Sequence, residues 1–404
     1  MTLARDMKIL WVNPNFLHPT NQGGQIRTLE IVRALHARHE IHYAALTQDP
    51  NSEGPARANE YSTKSYAYPH AVPSKRSLAF AWQLAGGFFS EMPLAVSRFY
   101  SPQMAAGLAA LIEKERFDRI VCDFLAAAPH FSDPGKFVLF QHNVETMIWR
   151  RHVENAIGPL QRAYLQMQAN RMENYERRIC RAAGSIIAVS DVDVRTMREL
   201  FQVERVAAVP TGVNLGYFAA PPQLPARPAD AADLVFVGSM DWMPNIDGVD
   251  YFAKSILPLI RQRKPECSIA IVGRDPSPAT LSLAEGDSRF FVTGTVPDVR
   301  PYLWHSKATI VPLRIGGGTR LKVYESMAAG VPVISTTIGA EGLTYHAPAN
   351  IRIADDPQAF ADQCVELLDQ PAIRASMAQA ALEMVTDNFS SESVATRFEE
   401  LLTC

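Results

Sequence analysis

Little in this chain points to metal, disulfide or polyanion chemistry. Its five cysteines (Cys122, Cys180, Cys267, Cys364 and Cys404) are scattered, odd in number and form no Cys-x-x-Cys pair. That pattern excludes a disulfide framework and a zinc site, and it suits a reducing cytosol. Charge of neither sign is in excess: 39 lysines and arginines face 42 aspartates and glutamates, and the net charge is -3. A nucleic-acid binder would carry a basic footprint, so a polyanionic partner is excluded. The N-terminus, MTLARDMKILWVNPN, has no apolar run long enough for a signal peptide or a membrane span, and reads as a short polar leader before a buried strand, Ile9 to Val12. The GxxxxGK[ST] phosphate loop is missing, as is a GxGxxG with its closing acidic residue, which rules out an NAD site.

What the chain does have is core material. Hydrophobic residues make up 47% of 404 positions, enough for two domains of about 200 residues each. The stretch Thr309 to Ser335, TIVPLRIGGGTRLKVYESMAAGVPVIS, organises the rest. It reads as a buried strand, a triple-glycine turn (Gly316, Gly317, Gly318), a short helix and a second strand. Gly330 permits a left-handed helix cap, and Pro332 cannot continue the helix. Glycines let backbone amides face outward, and the helix start adds unpaired N–H groups and a positive dipole end, which together suit phosphate oxygens. Arg320 and Lys322 add two cations, and Glu325 can accept hydrogen bonds from hydroxyls such as those of a ribose. Glycine turns of this kind also arise for steric reasons alone.

The segment resembles the donor-binding signature of glycosyltransferase family 4, whose members have the GT-B fold. That signature is a glutamate, seven residues, a second glutamate, then Ala-Met-Ala-x-Gly-x-Pro-Val. Glu325 stands at the second glutamate, with Met327, Ala328, Gly330, Pro332 and Val333 in register, while Gly317 replaces the first. The resemblance implies an α/β, GT-B protein with two Rossmann-like doubly wound domains facing an interdomain cleft. The first would hold residues 1–211 plus a helix, 388–404, crossing back, and the second residues 212–387.

In chain order, Ile9 to Val12, a glycine turn (Gln22, Gly23, Gly24, Gln25), a helix from Ile26 to Arg38 and a strand from Ile41 to Leu46 form an opening βαβ unit. In the family this glycine pair lies over the donor diphosphate. Residues 47–74 are polar and read as a long loop. Leu78 to Phe89 is unusually apolar behind Lys75 and Arg76, so residues 75–100 offer either membrane contact or core packing and an apolar acceptor groove. FDRIVCD, ending at Asp123, is a strand with a terminal carboxylate. FVLFQHNVE delivers Gln141, His142, Asn143 and Glu145 to a strand end, the edge where open α/β sheets bind ligands. His142 matches the family histidine that reaches the transferred sugar.

Two helices should flank Gly158 and Pro159. After the strand Ser185 to Ser190, Asp191 and Asp193 suit a helix N-cap and its dipole better than a metal. VPTGVN, Val209 to Asn214, resembles the family's interdomain crossing. In the second half, LVFVGSM ends a strand at Gly238, and Pro244 and Asn245 open a helix. Many relatives carry an arginine and a lysine near this point to neutralise the diphosphate. Here neither is present, so Arg274, or Arg320 and Lys322, would replace them. The segment FVTGTVPDV, with Thr295 and Val296, resembles the one whose backbone holds the nucleobase.

The resemblance implies a retaining hexosyltransferase with no cofactor and no metal, using a nucleoside-diphosphate sugar as donor. The acceptor hydroxyl would belong to a glycan, a lipid-linked glycan or a small molecule. His142, Arg320 and Lys322 would be catalytic. The donor would meet Gly23, Gly24, Gly238, Arg274, Thr295, Val296, Gly317, Gly318, Thr319, Leu321 and Glu325. The protein would lie in the cytoplasm or at the inner face of its membrane. A GT-B sugar-nucleotide epimerase and a catalytically weak nucleotide-sugar-binding partner are the alternatives, the second motivated by Gly317.

Overall fold

The computed structural model describes residues 6–20, 23–71, 91–154, 156, 158–315 and 320–403. They gather into two compact units, Met1–Thr211 with Val394–Cys404, and Gly212–Ser393. The first unit is built on β1 (Lys8–Asn13), β2 (Glu40–Thr47), β3 (Lys64–Pro69), β4 (Arg119–Asp123), β5 (Val138–Gln141), β6 (Ser185–Ala188) and β7 (Val206–Ala208). These run parallel in the order β3-β2-β1-β4-β5-β6-β7. Successive side chains take opposite faces. Leu10, Val12, Ala44, Ile120 and Leu139 therefore pack on one side, and Ile9, Trp11, Tyr43, Val121 and Phe140 on the other. A sheet buried on both faces writes continuous apolar runs, which is why these strands are easy to see in the sequence.

Helices cover both faces. Leu29, Val32 and Leu35 of the helix Gly23–His36 pack on the Trp11 side. Met172, Tyr175 and Ile179 of the helix Pro159–Ala182 pack on the Leu10 side. The last helix, Ser391–Thr403, places Phe398 with its ring 5.3 Å from Trp11 and 5.0 Å from Phe140. Burying one such side chain stabilises by about 1.5–3 kcal/mol, so the end of the chain is bound into the first unit.

The expected loop at 47–74 is partly a strand. β3 pairs with β2 from Lys64 against His42 to Pro69 against Thr47. It lies at the sheet edge with most of its residues exposed or half-buried, so no apolar pattern announces it. The three-residue β7 was likewise too short to read. The helices Glu145–Glu154 and Pro159–Ala182 do flank Gly158. Lys75, Arg76 and Leu78 to Phe89 lie outside the described residues. Among the described residues, no helix is long and apolar enough to cross a membrane.

The second unit repeats the plan with β8 (Leu234–Val237), β9 (Ile269–Val272), β10 (Phe290–Gly294), β11 (Ala308–Val311), β12 (Val333–Ser335) and β13 (Arg352–Ile353). The order is β10-β9-β8-β11-β12-β13, again parallel. Phe236, Phe252, Ile271, Ile310 and Val333 are fully buried in its core. Gly330 takes φ +72 just after the helix Leu321–Ala328, the left-handed turn its position required. Each sheet reverses its strand order once, between β1 and β4 and between β8 and β11. Open α/β sheets bind ligands beyond the carboxyl ends of strands at such a reversal.

Candidate functional site

In the first unit, three residues from separate strands and helices meet at the reversal. Asp123 ends β4 fully buried. Its Oδ2 accepts from Trp11 Nε1 at 3.0 Å, Asn13 Nδ2 at 2.6 Å and Thr28 Oγ1 at 2.9 Å. Its Oδ1 stands 2.7 Å from His142 Nε2. The other ring nitrogen, Nδ1, lies 2.9 Å from Arg27 Nη1, while Arg27 Nε donates to Thr211 Oγ1 at 2.8 Å. Burial first, and the Arg27 charge beside it, push His142 below the usual histidine range against the pull of Asp123.

Phe124 completes this cluster. It holds φ +67, unusual for a bulky side chain, and its ring stacks on the His142 imidazole at 3.9 Å and 8°. A Cβ at Gly24 would sit 2.7 Å from Phe124 Cζ. Glycine at 24 is thus the condition for the Phe124–His142 stack. Gly23 and Gly24 form the first turn of their helix rather than a separate turn before it. Below the site, Glu176 accepts from Gln141 Nε2, Thr146 Oγ1 and the amides of Glu145 and Thr146 at 2.6–2.9 Å, capping the helix that follows His142. Burial, helped by Glu176, pushes Glu145 up to about 7.

In the second unit, Lys322 and Glu325 lie on the helix Leu321–Ala328. Lys322 Nζ donates to Asn245 Oδ1 at 2.8 Å and rests 4.2 Å from the centroid of the Phe236 ring. Asn245 is buried, and its Nδ2 donates to the Ser239 carbonyl at 2.8 Å, which fixes which end faces the lysine. A Cβ at Gly238 would fall 2.7 Å from Lys322 Nζ and 2.8 Å from Asn245 Nδ2. Gly238 keeps the end of β8 open for the ammonium. Burial, with Arg320 adding to it and Glu325 opposing, pushes Lys322 down to about 7. Burial likewise lifts Glu325 to about 7, against Lys322. Among the described residues, the Glu325 carboxylate makes no hydrogen bond.

The other sequence candidates are spread around this edge. Arg320, buried, sends Nε to the Ile338 carbonyl at 3.2 Å. Leu321 opens the helix, where first-turn amides have no partner within the helix. Arg274 is exposed and donates to Ser239 Oγ at 2.9 Å, with Asp241 and Asp275 alongside. Thr295 is exposed and Val296 half-buried, just past the end of β10. Gly316, Gly317, Gly318 and Thr319 lie outside the described residues. Asp193 serves its helix: Ser190 Oγ accepts from the Asp193 amide at 3.1 Å and donates to its carboxylate at 2.6 Å. Among the described residues, no group of three or more histidines, cysteines or acids gathers as a metal cage.

Sequence reasoning missed Arg27, Phe124 and the pairing of Asn245 with Lys322. Arg27 sits at a helical position that otherwise reads as a solvated face. Only a buried cation's need for partners marks it afterwards.

Comparison with known proteins bears on the family and the fold. Residues 21–217 match the family model described as Glycosyltransferase Family 4. Residues 231–370 match the one described as Glycosyl transferases group 1. A D-inositol 3-phosphate glycosyltransferase of Thermobispora bispora is 28% identical over 252 residues, 56% of this chain and 58% of that protein. The chain thus spans little more than half the length of that curated relative. Sucrose-phosphate synthase of Thermosynechococcus elongatus superposes with a TM-score of 0.68 at 16% identity, covering 99% of this chain and 98% of that one. Anabaena HepE, solved with UDP-glucose, gives 0.64 at 12% identity, covering 98% and 99%.

Proposed function

This chain is glycosyltransferase family 4-like in sequence and GT-B in fold, and from that premise we propose that it moves a sugar from a nucleoside diphosphate to an acceptor hydroxyl. One observation carries the reading: a cation and a carboxyl, Lys322 and Glu325, sit three residues apart on the helix beside the strand-order reversal of the second unit. The ammonium meets diphosphate oxygens, and the carboxylate accepts from the ribose hydroxyls. First-turn amides at Leu321 and Lys322 add donors to the diphosphate.

The reaction in this proposal retains the anomeric configuration. Acceptor and leaving diphosphate share one face of the sugar, and the diphosphate takes the acceptor proton. Catalysis is then positioning and charge stabilisation, supplied by Lys322 and Arg320 at the leaving group and by the rigid His142 cluster in the first unit. No metal is needed in this scheme, because side-chain cations carry the neutralising charge. HepE binds UDP-glucose, which makes a uridine donor the first of several to try. A cytoplasmic place belongs to the same proposal. It is supported by four described cysteines that are all free and buried.

The test is a thermal-shift and hydrolysis panel with UDP-, GDP- and dTDP-sugars, in EDTA and in manganese, on the wild type and on Glu325→Ala. The reading expects one nucleotide to stabilise the wild type and its sugar to be released in EDTA, with both effects lost in the variant. Binding without release, even with candidate acceptors, indicates a binding partner instead. An isomerised sugar nucleotide with no acceptor present indicates an epimerase.

A further inference from the structure

We infer that Arg27 is a positioning residue of the first unit's site: it locks His142 into one neutral tautomer and takes that histidine out of proton transfer. The inference rests on the proposed function only for its effect on turnover. The lock itself follows from donor and acceptor counting. A guanidinium has five N–H donors and no acceptor. Arg27 Nη1 stands 2.9 Å from His142 Nδ1, so Nδ1 must accept and carries no proton. The ring proton then resides on Nε2, which donates to Asp123 Oδ1 at 2.7 Å.

Neither nitrogen is left for an incoming group. A proton added at Nδ1 would face an N–H of Arg27, placing two cations in contact inside a buried cluster. A proton moved from Nε2 would have to pass to Asp123, whose other oxygen already accepts from Trp11, Asn13 and Thr28. Phe124 at 3.9 Å, Phe140 at 4.3 Å and Gly24 also border the ring, none of which titrates, and among the described residues the charges that act on it are Asp123 and Arg27. Asp193 in turn acts on Arg27.

Arg27 is itself held. Its Nε donates to Thr211 Oγ1 at 2.8 Å, and Thr211 is the last residue of the first unit before the chain passes to the second. One planar fork thus spans the histidine and the exit of the chain. Lysine, a point donor on a flexible stem, cannot hold both. The acceptor proton consequently finds no base at His142.

The experiment uses the full chain labelled with 15N-histidine, with His142→Asn made only to assign the signals. Long-range 1H–15N spectra report which ring nitrogen bears the proton, and UDP-, GDP- and dTDP-glucose hydrolysis is followed alongside. In the wild type, His142 should show protonated Nε2 and bare Nδ1 at pH 7 and still at pH 6, below the usual histidine value of about 6.5. Arg27→Lys and Thr211→Val should loosen the lock and let Nδ1 take up a proton at higher pH. Thr211→Val leaves the buried charges intact if Arg27→Lys does not fold. Either variant should lower kcat about 10- to 100-fold, the scale of a small misplacement, with nucleoside diphosphate affinity within about twofold. A wild type with protonated Nδ1 at pH 7, or a folded Arg27→Lys with unchanged tautomer and kcat, overturns the inference. A locked wild type that hydrolyses none of the three donors supports the lock and overturns the proposed function.

Discussion

The carboxyl ends of β1 and β4 in the first unit and those of β8 and β11 in the second hold the same place at the strand-order reversal of their sheets, yet the groups around them use polar atoms in opposite ways. In the first unit the groups gathered around Asp123 are committed to one another. Asp123 accepts from four side chains, and both His142 nitrogens are engaged. In the second unit Lys322 has a neutral acceptor, Asn245, and Glu325 makes no hydrogen bond among the described residues. Both are pushed to about 7, where either protonation state is accessible. One edge is a closed hydrogen-bonded cluster, and the other carries two ionisable groups with few partners among the described residues.

If that contrast is right, breaking the first edge should cost stability, and breaking the second should cost binding. The largest effect is expected from Asp123→Asn. An amide nitrogen placed against the three donors at Oδ2, or against His142 Nε2–H at Oδ1, leaves buried groups unpaired, and urea unfolding should show a loss of about 3–5 kcal/mol.

Lys322→Met should instead fold well and lose nucleoside diphosphate affinity about 10- to 100-fold in calorimetric titration, the scale of a charge-assisted contact. Its stability should rise relative to the wild type as pH falls from about 10.5 to about 7, and hold that gain at lower pH. The folded value of this lysine lies below its ordinary 10.5, so the native state resists the charge: its stability contribution is present above about 10.5, is lost as pH falls toward about 7, and does not change further below that. A Lys322→Met chain that unfolds easily yet binds UDP, GDP or dTDP normally would reverse the comparison.

Glu145→Gln sharpens it further. Glu145 has a folded value near 7, above its ordinary 4.5, so its contribution is complete below about 4.5 and is lost as pH rises through 7. The variant should match the wild type at pH 4.5 and exceed it by about 1–2 kcal/mol at pH 8 in denaturant melts. Gly238→Ala should have the smallest effect. Its Cβ would press on the Lys322 ammonium, the Asn245 amide and the edge of the Phe236 ring, so diphosphate affinity should fall about threefold to tenfold, with a stability loss of about 1 kcal/mol.

The sequence carried much of this arrangement and missed its couplings. Strand ends at Asp123, Gln141, Val237 and Val311 were readable because buried parallel strands are short apolar runs. The helix stop at Gly330 was readable because only a residue tolerant of positive φ fits there. β3 was not, since an exposed edge strand takes its place from β2 and not from its own pattern. Arg27 was missed because helical spacing alone does not tell a buried arginine from a solvated one.

What the sequence determined by itself is the local grammar: alternating strands and helices, glycines where side chains have no room, and the residue types gathered at strand ends. The tertiary structure decided the state of those residues. Arg27 and His142 are 115 positions apart, and Asn245 and Lys322 are 77 apart. A tautomer, a shifted lysine and a glycine that must remain bare all depend on contacts across such distances. Periodicity is set within a few residues of chain, whereas desolvation and hydrogen-bond partners exist only once the sheet has brought distant strands together.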